Sequence, residues 1–177
     1  MTKFHPEVHL LTEYAAGNLP LAQSACVSAH MHYCEQCRRS VAKLQDLGGV
    51  LLEQLDPAPV GDAMLDAVLA RLDEEPPLSY VHAEEIAVSR TPAILRRLMS
   101  GDFSDLSWKK VSKALSISYL KTGDSGYEFA LYHIKAGGRI PDHGHRGSEM
   151  TLILQGGFSD ANGSYHVGDF LYREAGD

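Results

Sequence analysis

The sequence contains no run of about 18 consecutive apolar residues, which excludes a hydrophobic membrane-spanning helix. The first residues also lack the apolar core of a secretory signal, so we expect a cytoplasmic protein. Basic residues are scarce: 16 Lys and Arg stand against 23 Asp and Glu, a net charge of −7. This balance argues against direct binding of nucleic acid, which requires a basic surface. Only three cysteines occur in 177 residues, so they cannot all pair internally, and a metal or redox role is favoured over a disulfide framework.

The acidic charge is concentrated in the first half. Residues 1–78 carry 5 basic and 11 acidic residues, a net charge of −6, whereas residues 79–177 have a net charge of −1. Such an imbalance is common on solvated helical surfaces. It can also form a docking face for a basic partner.

The first half is predicted to be helical. Pro6 suits the first turn of a helix that ends before Gly17. Further helices are expected over about residues 20–32 and 35–55, the latter weakened at Gly48-Gly49, since each Gly costs about 1 kcal/mol relative to Ala. An apolar stripe over residues 64–72 predicts a fourth short helix. Such short helices bury little core, so we expect a metal or a partner to stabilise them.

The second half is predicted to be rich in strands. A linker is expected over residues 76–90, followed by one or two helical turns over residues 91–99. Strand-like runs then alternate with turn signals, a pattern typical of a sandwich or barrel. The runs are residues 116–120, 127–132, 150–154 and 169–172, and the turns are residues 122–126, 137–138 and 162–163.

His30, Cys34 and Cys37 form the first candidate metal site. Two thiolates separated by two residues can bind one zinc ion at the start of a helix, and a histidine one turn earlier adds an imidazole. A closed site needs a fourth ligand, and the spacing leaves four candidates: His5, His9, His32 and Cys26. The alternatives are a redox pair, disfavoured because no strand precedes the two cysteines, and cysteines that only fill a helical core.

His143, His145 and Glu149 form a second candidate metal site. Alternate residues of a strand point to the same side, so both imidazoles would enter a barrel together. Glu149 would add an oxygen ligand, and this set suits Zn, Mn, Fe or Ni. Solvent-exposed histidines are the alternative. Three other acidic residues of this half are interpreted as turn or surface carboxylates: Asp160, Asp169 and Glu174.

The segment HPEVHLLTEYAAGNL at residues 5–19, together with His30-x-x-x-Cys34-x-x-Cys37-Arg38, resembles the zinc-binding anti-sigma domain. The resemblance covers roughly the first 75 residues. It implies that an upstream histidine, here His5, completes the zinc site with His30, Cys34 and Cys37. Cys26 matches no ligand of that family and is interpreted as a small core residue. His9 and His32 are interpreted as surface or capping groups.

The pattern Gly137-x5-His143-x-His145-x3-Glu149-x6-Gly156 is similar to the first motif of the cupin barrel, an antiparallel jelly roll. The resemblance implies a second divalent metal, by likeness zinc, bound by His143, His145 and Glu149. In the second cupin motif, counted from Gly168, the further histidine would fall beyond Asp177. We therefore expect a cupin domain that is incomplete at its C-terminus and lacks one ligand.

Together the two parts resemble the ChrR-type anti-sigma factors, a zinc-binding anti-sigma domain fused to a cupin. The resemblance implies an α+β chain of two domains: a helical bundle over residues 1–75, a linker over 76–90 and a cupin domain over 91–177. It also implies a function in transcription regulation without enzyme activity. The protein would hold an extracytoplasmic-function sigma factor in a 1:1 complex and release it under oxidative stress such as singlet oxygen or organic peroxide.

Two other functions are compatible with the motifs. One is a metal-dependent cupin dioxygenase or isomerase, in which the histidines and glutamate hold Fe or Mn with a position open to substrate. The fused zinc-binding domain and the shortage of a further acid or base argue against it. The other is an interaction module with a vestigial cupin. Two features favour an anti-sigma factor. Apolar helix stripes that the domain does not use in its own core can pack on a partner helix, and an acidic face attracts a basic helical protein.

Overall fold

The computed structural model describes residues 2–61, 63–72, 74, 91–139, 147–174 and 176. Its elements confirm the predicted combination of helices and antiparallel strands, and the predicted linker over residues 76–90 lies outside the described residues. The helices are α1 (Val8–Ala15), α2 (Leu21–Tyr33), α3 (Glu35–Glu53), α4 (Ala63–Leu69) and α5 (Ala93–Met99), followed by a 3-10 turn (Phe103–Asp105). The strands are β1 (Lys109–Lys110), β2 (Leu115–Leu120), β3 (Phe129–Ile134), β4 (Glu149–Leu152), β5 (Gly157–Asp160), β6 (Gly163–His166) and β7 (Phe170–Arg173).

The helix ends follow local signals in the sequence. Gly17 stops α1 as predicted, because it adopts a left-handed φ of 73° and its N–H donates to the carbonyl oxygen of Tyr14 at 3.1 Å. The pair Gly48-Gly49 does not end α3, which continues to Glu53. Helices α2 and α3 are separated by Cys34 alone, which has extended backbone angles. The chain therefore changes direction at a single residue.

The strands pair in antiparallel fashion in three groups. Strands β1, β2 and β3 form one sheet in sequence order, β4 pairs with β7, and β5 pairs with β6. The β5–β6 hairpin confirms the turn signal at Asn162-Gly163, although Asp160 pairs with Gly163 and the two loop residues are therefore Ala161 and Asn162. The carboxylate of Asp160 closes this loop by accepting the N–H of Asn162 at 2.8 Å.

Buried residues of the helices and of the sheet form a shared core. Phe170, the first residue of β7, is 2% exposed and belongs to the same buried cluster as Leu10 of α1 and Val27 of α2. A second cluster joins Ala29 of α2 to Leu131 of β3, with two residues of α5, Leu95 and Met99. Helix α2 therefore packs against the other helices of the first half and against the strands of the second half.

Apolar side chains remain exposed on the second half of α3, on α4 and beside them. They are Leu47, Val50, Leu51, Leu52, Leu55, Val60, Met64, Leu65, Val68, Leu69 and Leu72. We call these residues the exposed helical leucine set. Among the described residues, no helix is both long enough and apolar enough to cross a membrane. Within the part of the chain that the structure describes, these side chains are exposed to solvent.

Replacement of Phe170 by alanine tests the shared core. Removal of this 2% exposed ring is expected to lower the free energy of unfolding by about 3–5 kcal/mol, because its cavity lies between the helices and the sheet. Phe158 of β5 is 39% exposed, so Phe158→Ala is expected to cost about 1 kcal/mol. Urea unfolding followed by circular dichroism measures both, and equal losses would contradict a core centred on Phe170.

Candidate metal centre

Four residues that the sequence analysis named converge where α2 meets α3. The potential ligand atoms of His5, His30, Cys34 and Cys37 all lie within 4.8 Å of one another. His30 and both cysteines are buried, and His5 is half-buried. The structure thus assembles a buried group of two imidazoles and two thiols from two helices and the segment that precedes α1.

Each imidazole lies against a sulfur atom. His30 Nε2 is 3.3 Å from Cys37 Sγ. His5 Nδ1 is 3.3 Å from Cys34 Sγ and 3.6 Å from Cys37 Sγ. The four side chains therefore direct their donor atoms toward a common centre.

The two cysteines occupy a helix N-terminus. Cys34 is the N-cap of α3, and its Sγ accepts the backbone N–H of Cys37 at 3.4 Å. Cys37 lies in the first turn of α3, so the three-residue spacing brings both sulfurs to the same side. The positive end of the helix dipole favours thiolate at this position.

The protonation of His30 is set by a backbone carbonyl of the second half. Its Nδ1–H donates to the carbonyl oxygen of Gly168 at 2.7 Å, since a carbonyl can only accept. The lone pair of Nε2 then faces Cys37, as a metal ligand requires. Burial also lowers the pKa of His30, which keeps the ring neutral.

The two thiols differ in their readiness to ionise. Burial raises the pKa of Cys34, but hydrogen bonds from the Thr2 side chain and from Cys37 outweigh burial and hold that pKa below its usual value. Burial, together with the adjacent Cys34, raises the pKa of Cys37 to about 12. A bound cation would stabilise both sulfurs as thiolates. Two thiolates and two imidazoles are the donor set of a closed tetrahedral zinc site, so this group could hold a metal such as zinc.

The other candidates for a fourth ligand lie elsewhere. His9 is exposed and contacts Glu7, with 3.4 Å between Nδ1 and a carboxylate oxygen. His32 is exposed near the end of α2. Cys26 is a buried residue of the core around Phe170, where burial raises its pKa to about 12. The interpretation of Cys26 as a core residue is confirmed.

Comparisons with known proteins identify the family of this chain. Residues 97–177 match the family model described as the ChrR cupin-like domain. The chain is 34% identical over 167 residues to the anti-sigma-E factor ChrR of Cereibacter sphaeroides, and the alignment covers 94% of this chain and 77% of that protein. The chain belongs to the ChrR family of anti-sigma factors. The resemblance stated from the sequence is confirmed.

A solved structure extends the comparison to the fold of this ChrR-family chain. The crystal structure of Rhodobacter sphaeroides SigE in complex with the anti-sigma ChrR matches with a TM-score of 0.86 and 32% sequence identity. The match covers 98% of this chain and 88% of the matched chain. The relatives identified are thus anti-sigma factors rather than enzymes.

The second metal site predicted for the ChrR cupin-like region is only partly described. His143 and His145 lie outside the described residues. Glu149 is the first residue of β4, where it pairs with Arg173 of β7, and its Oε1 accepts the hydroxyl hydrogen of Thr151 at 2.8 Å. A metal bound by these three residues stays a prediction.

Sequence reasoning missed the role of the turn between β6 and β7 in this ChrR-family fold. Asp169 was expected to be a turn or surface carboxylate. It does lie in a turn, but it is 2% exposed and its Oδ1 accepts the backbone N–H of Lys3 at 2.6 Å. The expectation of a surface residue was wrong, because two of the backbone groups that Asp169 binds, those of Lys3 and Phe4, lie at the opposite end of the chain.

Substitution of the paired cysteines tests the metal centre. Purified Cys34→Ser/Cys37→Ser protein is expected to retain no zinc at this site, because serine hydroxyls do not replace thiolates as zinc ligands. Helical circular dichroism from α1–α3 should fall with the metal. Elemental analysis and the thiolate-to-cobalt absorption of Co²⁺-substituted protein measure the loss.

Cys26→Ala is the matched control for this experiment, because Cys26 is buried in the core without belonging to the four-residue group. It should keep both the zinc and the cobalt absorption. Equal zinc content in the double variant and in the control would contradict the assignment.

Proposed function

We propose that this ChrR-family protein is an anti-sigma factor that binds an extracytoplasmic-function sigma factor in a 1:1 complex and holds it inactive. The observation that carries the proposal is the match, over 98% of the chain and with a TM-score of 0.86, to a ChrR chain whose crystal structure includes SigE. The protein acts in the cytoplasm, by binding rather than by catalysis, and its release of the sigma factor regulates transcription.

A structural zinc ion bound by His5, His30, Cys34 and Cys37 supports the docking surface in this proposal. The four side chains tie the segment before α1 to the ends of α2 and α3, and their donor atoms lie within 4.8 Å of one another. Zinc there would fix the angle at which α3 leaves α2. Residues 1–75 then form a helical bundle that is separate in function from the cupin domain over residues 91–177, with residues 76–90 as the linker.

The exposed helical leucine set is the surface that we assign to the sigma factor. These side chains are apolar and exposed on α3 and α4, in the half of the chain that carries a net charge of −6. Apolar helix faces bind partner helices by burying leucines in a groove. The surrounding acidic charge would attract a basic DNA-binding protein and would occupy the surface that otherwise contacts DNA.

In this proposal, the second half of the chain controls when the sigma factor is released. His143, His145 and Glu149 hold a second metal, by family likeness zinc, in a cupin jelly roll. Oxidative stress such as singlet oxygen or organic peroxide alters this region and favours release of the sigma factor. Such a switch requires physical coupling between the halves. The shared core around Phe170 and the packing of α2 against both halves provide that contact.

Charge introduced into the exposed helical leucine set tests the docking surface. The variant Leu51→Asp/Leu65→Asp is expected to weaken binding of the partner extracytoplasmic-function sigma factor by about 30-fold or more, because buried leucine anchors would become unpaired charges. Val111→Asp is the matched control, since Val111 is 55% exposed against 56% for Leu51 but lies beside the sheet. Titration calorimetry with the purified sigma factor measures both, and equal affinities of the two variants would refute the assigned surface.

Substitution of the second set of predicted ligands tests the release step. Cells that carry His143→Ala or Glu149→Gln are expected to keep the sigma factor inactive without stress and to fail to release it under singlet oxygen. The metal-binding residues would be lost while the helical half is unchanged. A sigma-dependent reporter gene measures both states. His133→Ala, an exposed histidine of β3, is the control and should respond normally; a normal response in all three variants would exclude this role.

A further inference from the structure

The turn between β6 and β7, residues 167–169, contacts two separate parts of the zinc-binding group. The carbonyl oxygen of Gly168 accepts the Nδ1–H of the ligand His30 at 2.7 Å. The carboxylate of Asp169 holds the backbone of Lys3 and Phe4, immediately before the ligand His5. One turn of the cupin-like half thus fixes a ligand from α2 and the segment that delivers another.

Both oxygens of Asp169 are used. Oδ1 accepts the N–H of Lys3 at 2.6 Å and the N–H of Phe4 at 3.2 Å. Oδ2 accepts the N–H of His166 at 2.9 Å, which closes the turn itself. The next residue adds a further bond, because the N–H of Phe170 donates to the carbonyl oxygen of Phe4 at 3.0 Å. The chain before His5 is therefore bound to the turn at three backbone groups.

The backbone at position 168 accepts only glycine. It has a left-handed φ of 90°, and a Cβ on it would lie 2.5 Å from Thr2 Cγ2 and 2.8 Å from Tyr33 Cβ. Real Cβ atoms do not approach other atoms so closely. Only glycine allows the carbonyl of this turn to reach His30 between the N-terminal segment and the end of α2.

We propose that Gly168 and Asp169 are positioning residues for the zinc site, so that the geometry of the cupin-like sheet sets the affinity of the helical half for zinc. The proposal rests on the structural zinc of the proposed function and adds its regulation. Outer partners of metal ligands typically contribute about 10- to 100-fold to metal affinity, because they fix the tautomer and orientation of the ligand. Here these partners come from the other half of the chain.

A continuous path leads from the predicted cupin ligand to this turn. Glu149 begins β4, which pairs along its length with β7, from Glu149 opposite Arg173 to Leu152 opposite Phe170. Phe170 directly follows Asp169, and its ring packs against His30 with 5.8 Å between ring centroids. A shift of β4 would therefore move β7 and the turn that holds His30 and the segment before His5.

The variant Asp169→Asn, in the full-length chain, tests the proposal. Asparagine has one acceptor oxygen and places an NH₂ group against an N–H, so the bonds to Lys3 and Phe4 or the bond to His166 must be lost. Competition with a chromogenic zinc chelator should show about 10- to 100-fold weaker zinc binding. Nitrogen NMR of the His30 ring should show that the Nδ1 proton loses its fixed hydrogen bond. Gly168→Ala should change both measurements in the same direction.

Two controls separate positioning from stability. Asp160→Asn alters a carboxylate with similar turn bonds, which joins residues of β5, β6 and β7. Leu131→Ala destabilises the second buried cluster, which contains Leu131. Both controls should keep the zinc affinity and the His30 signals of the unaltered protein. Urea unfolding of each metal-free protein gives the loss of stability for comparison.

Three results would contradict the positioning role, and only the last of them would also contradict the structural zinc site. Equal zinc affinity in Asp169→Asn and in the unaltered protein overturns the positioning role and leaves the proposed function standing if the sigma factor still binds. A loss of affinity in Leu131→Ala as large as that in Asp169→Asn overturns it as well, because stability alone would then explain the effect. Failure of the unaltered chain to bind zinc overturns both this inference and the structural zinc site.

Discussion

Two buried sulfur atoms lie side by side at the N-terminus of α3, each with an imidazole nitrogen 3.3 Å away. Hydrogen bonds lower the pKa of Cys34, whereas burial and its neighbour raise that of Cys37 to about 12. Two buried thiols that lie side by side gain from a cation that stabilises both as thiolates. The histidines beside them, His5 and His30, come from the segment before α1 and from α2, so the four-residue group joins these elements to α3.

The helical half and the strand-rich half of the chain share buried residues and hydrogen bonds. Phe170 of the sheet lies in a core built mainly by α1, α2 and α3, and the carbonyl of Gly168 holds His30. A domain whose short helices bury little surface gains stability from such contacts. Through the same contacts a change in the sheet can act on the helices, as the proposed release of the sigma factor requires.

The leucines of α3 and α4 that belong to the exposed helical leucine set differ from the buried leucines of α1. Leucines at helical spacing ordinarily pack against other elements of the same chain, yet Leu51, Leu65 and their neighbours are exposed. They lie within residues 1–78, which carry a net charge of −6. Apolar side chains surrounded by like charge suit a partner that supplies both an apolar groove and basic residues.

Local signals in the sequence predicted the helices, strands β2, β3, β4 and β7, and three members of the candidate site. Gly17 ends α1, Asp160 and Asn162 shape the β5–β6 hairpin, and the spacing of His30, Cys34 and Cys37 places them on adjoining helix ends. These features depend on neighbours within a few residues, so periodicity and turn chemistry suffice to predict them. The fourth member, His5, was one of several candidates by spacing and followed only from the family resemblance.

Tertiary structure alone decided the role of Asp169 and which leucines were buried. Asp169 has the residue type and position of a surface turn residue and binds the nearby N–H of His166, but its two other partners, Phe4 and Lys3, are 165 and 166 positions away. The leucine stripes of α1 and α3 look alike in the sequence, yet Leu10 is buried and Leu51 is exposed. No local pattern encodes such outcomes, because they depend on which distant backbone groups and side chains the folded chain brings together.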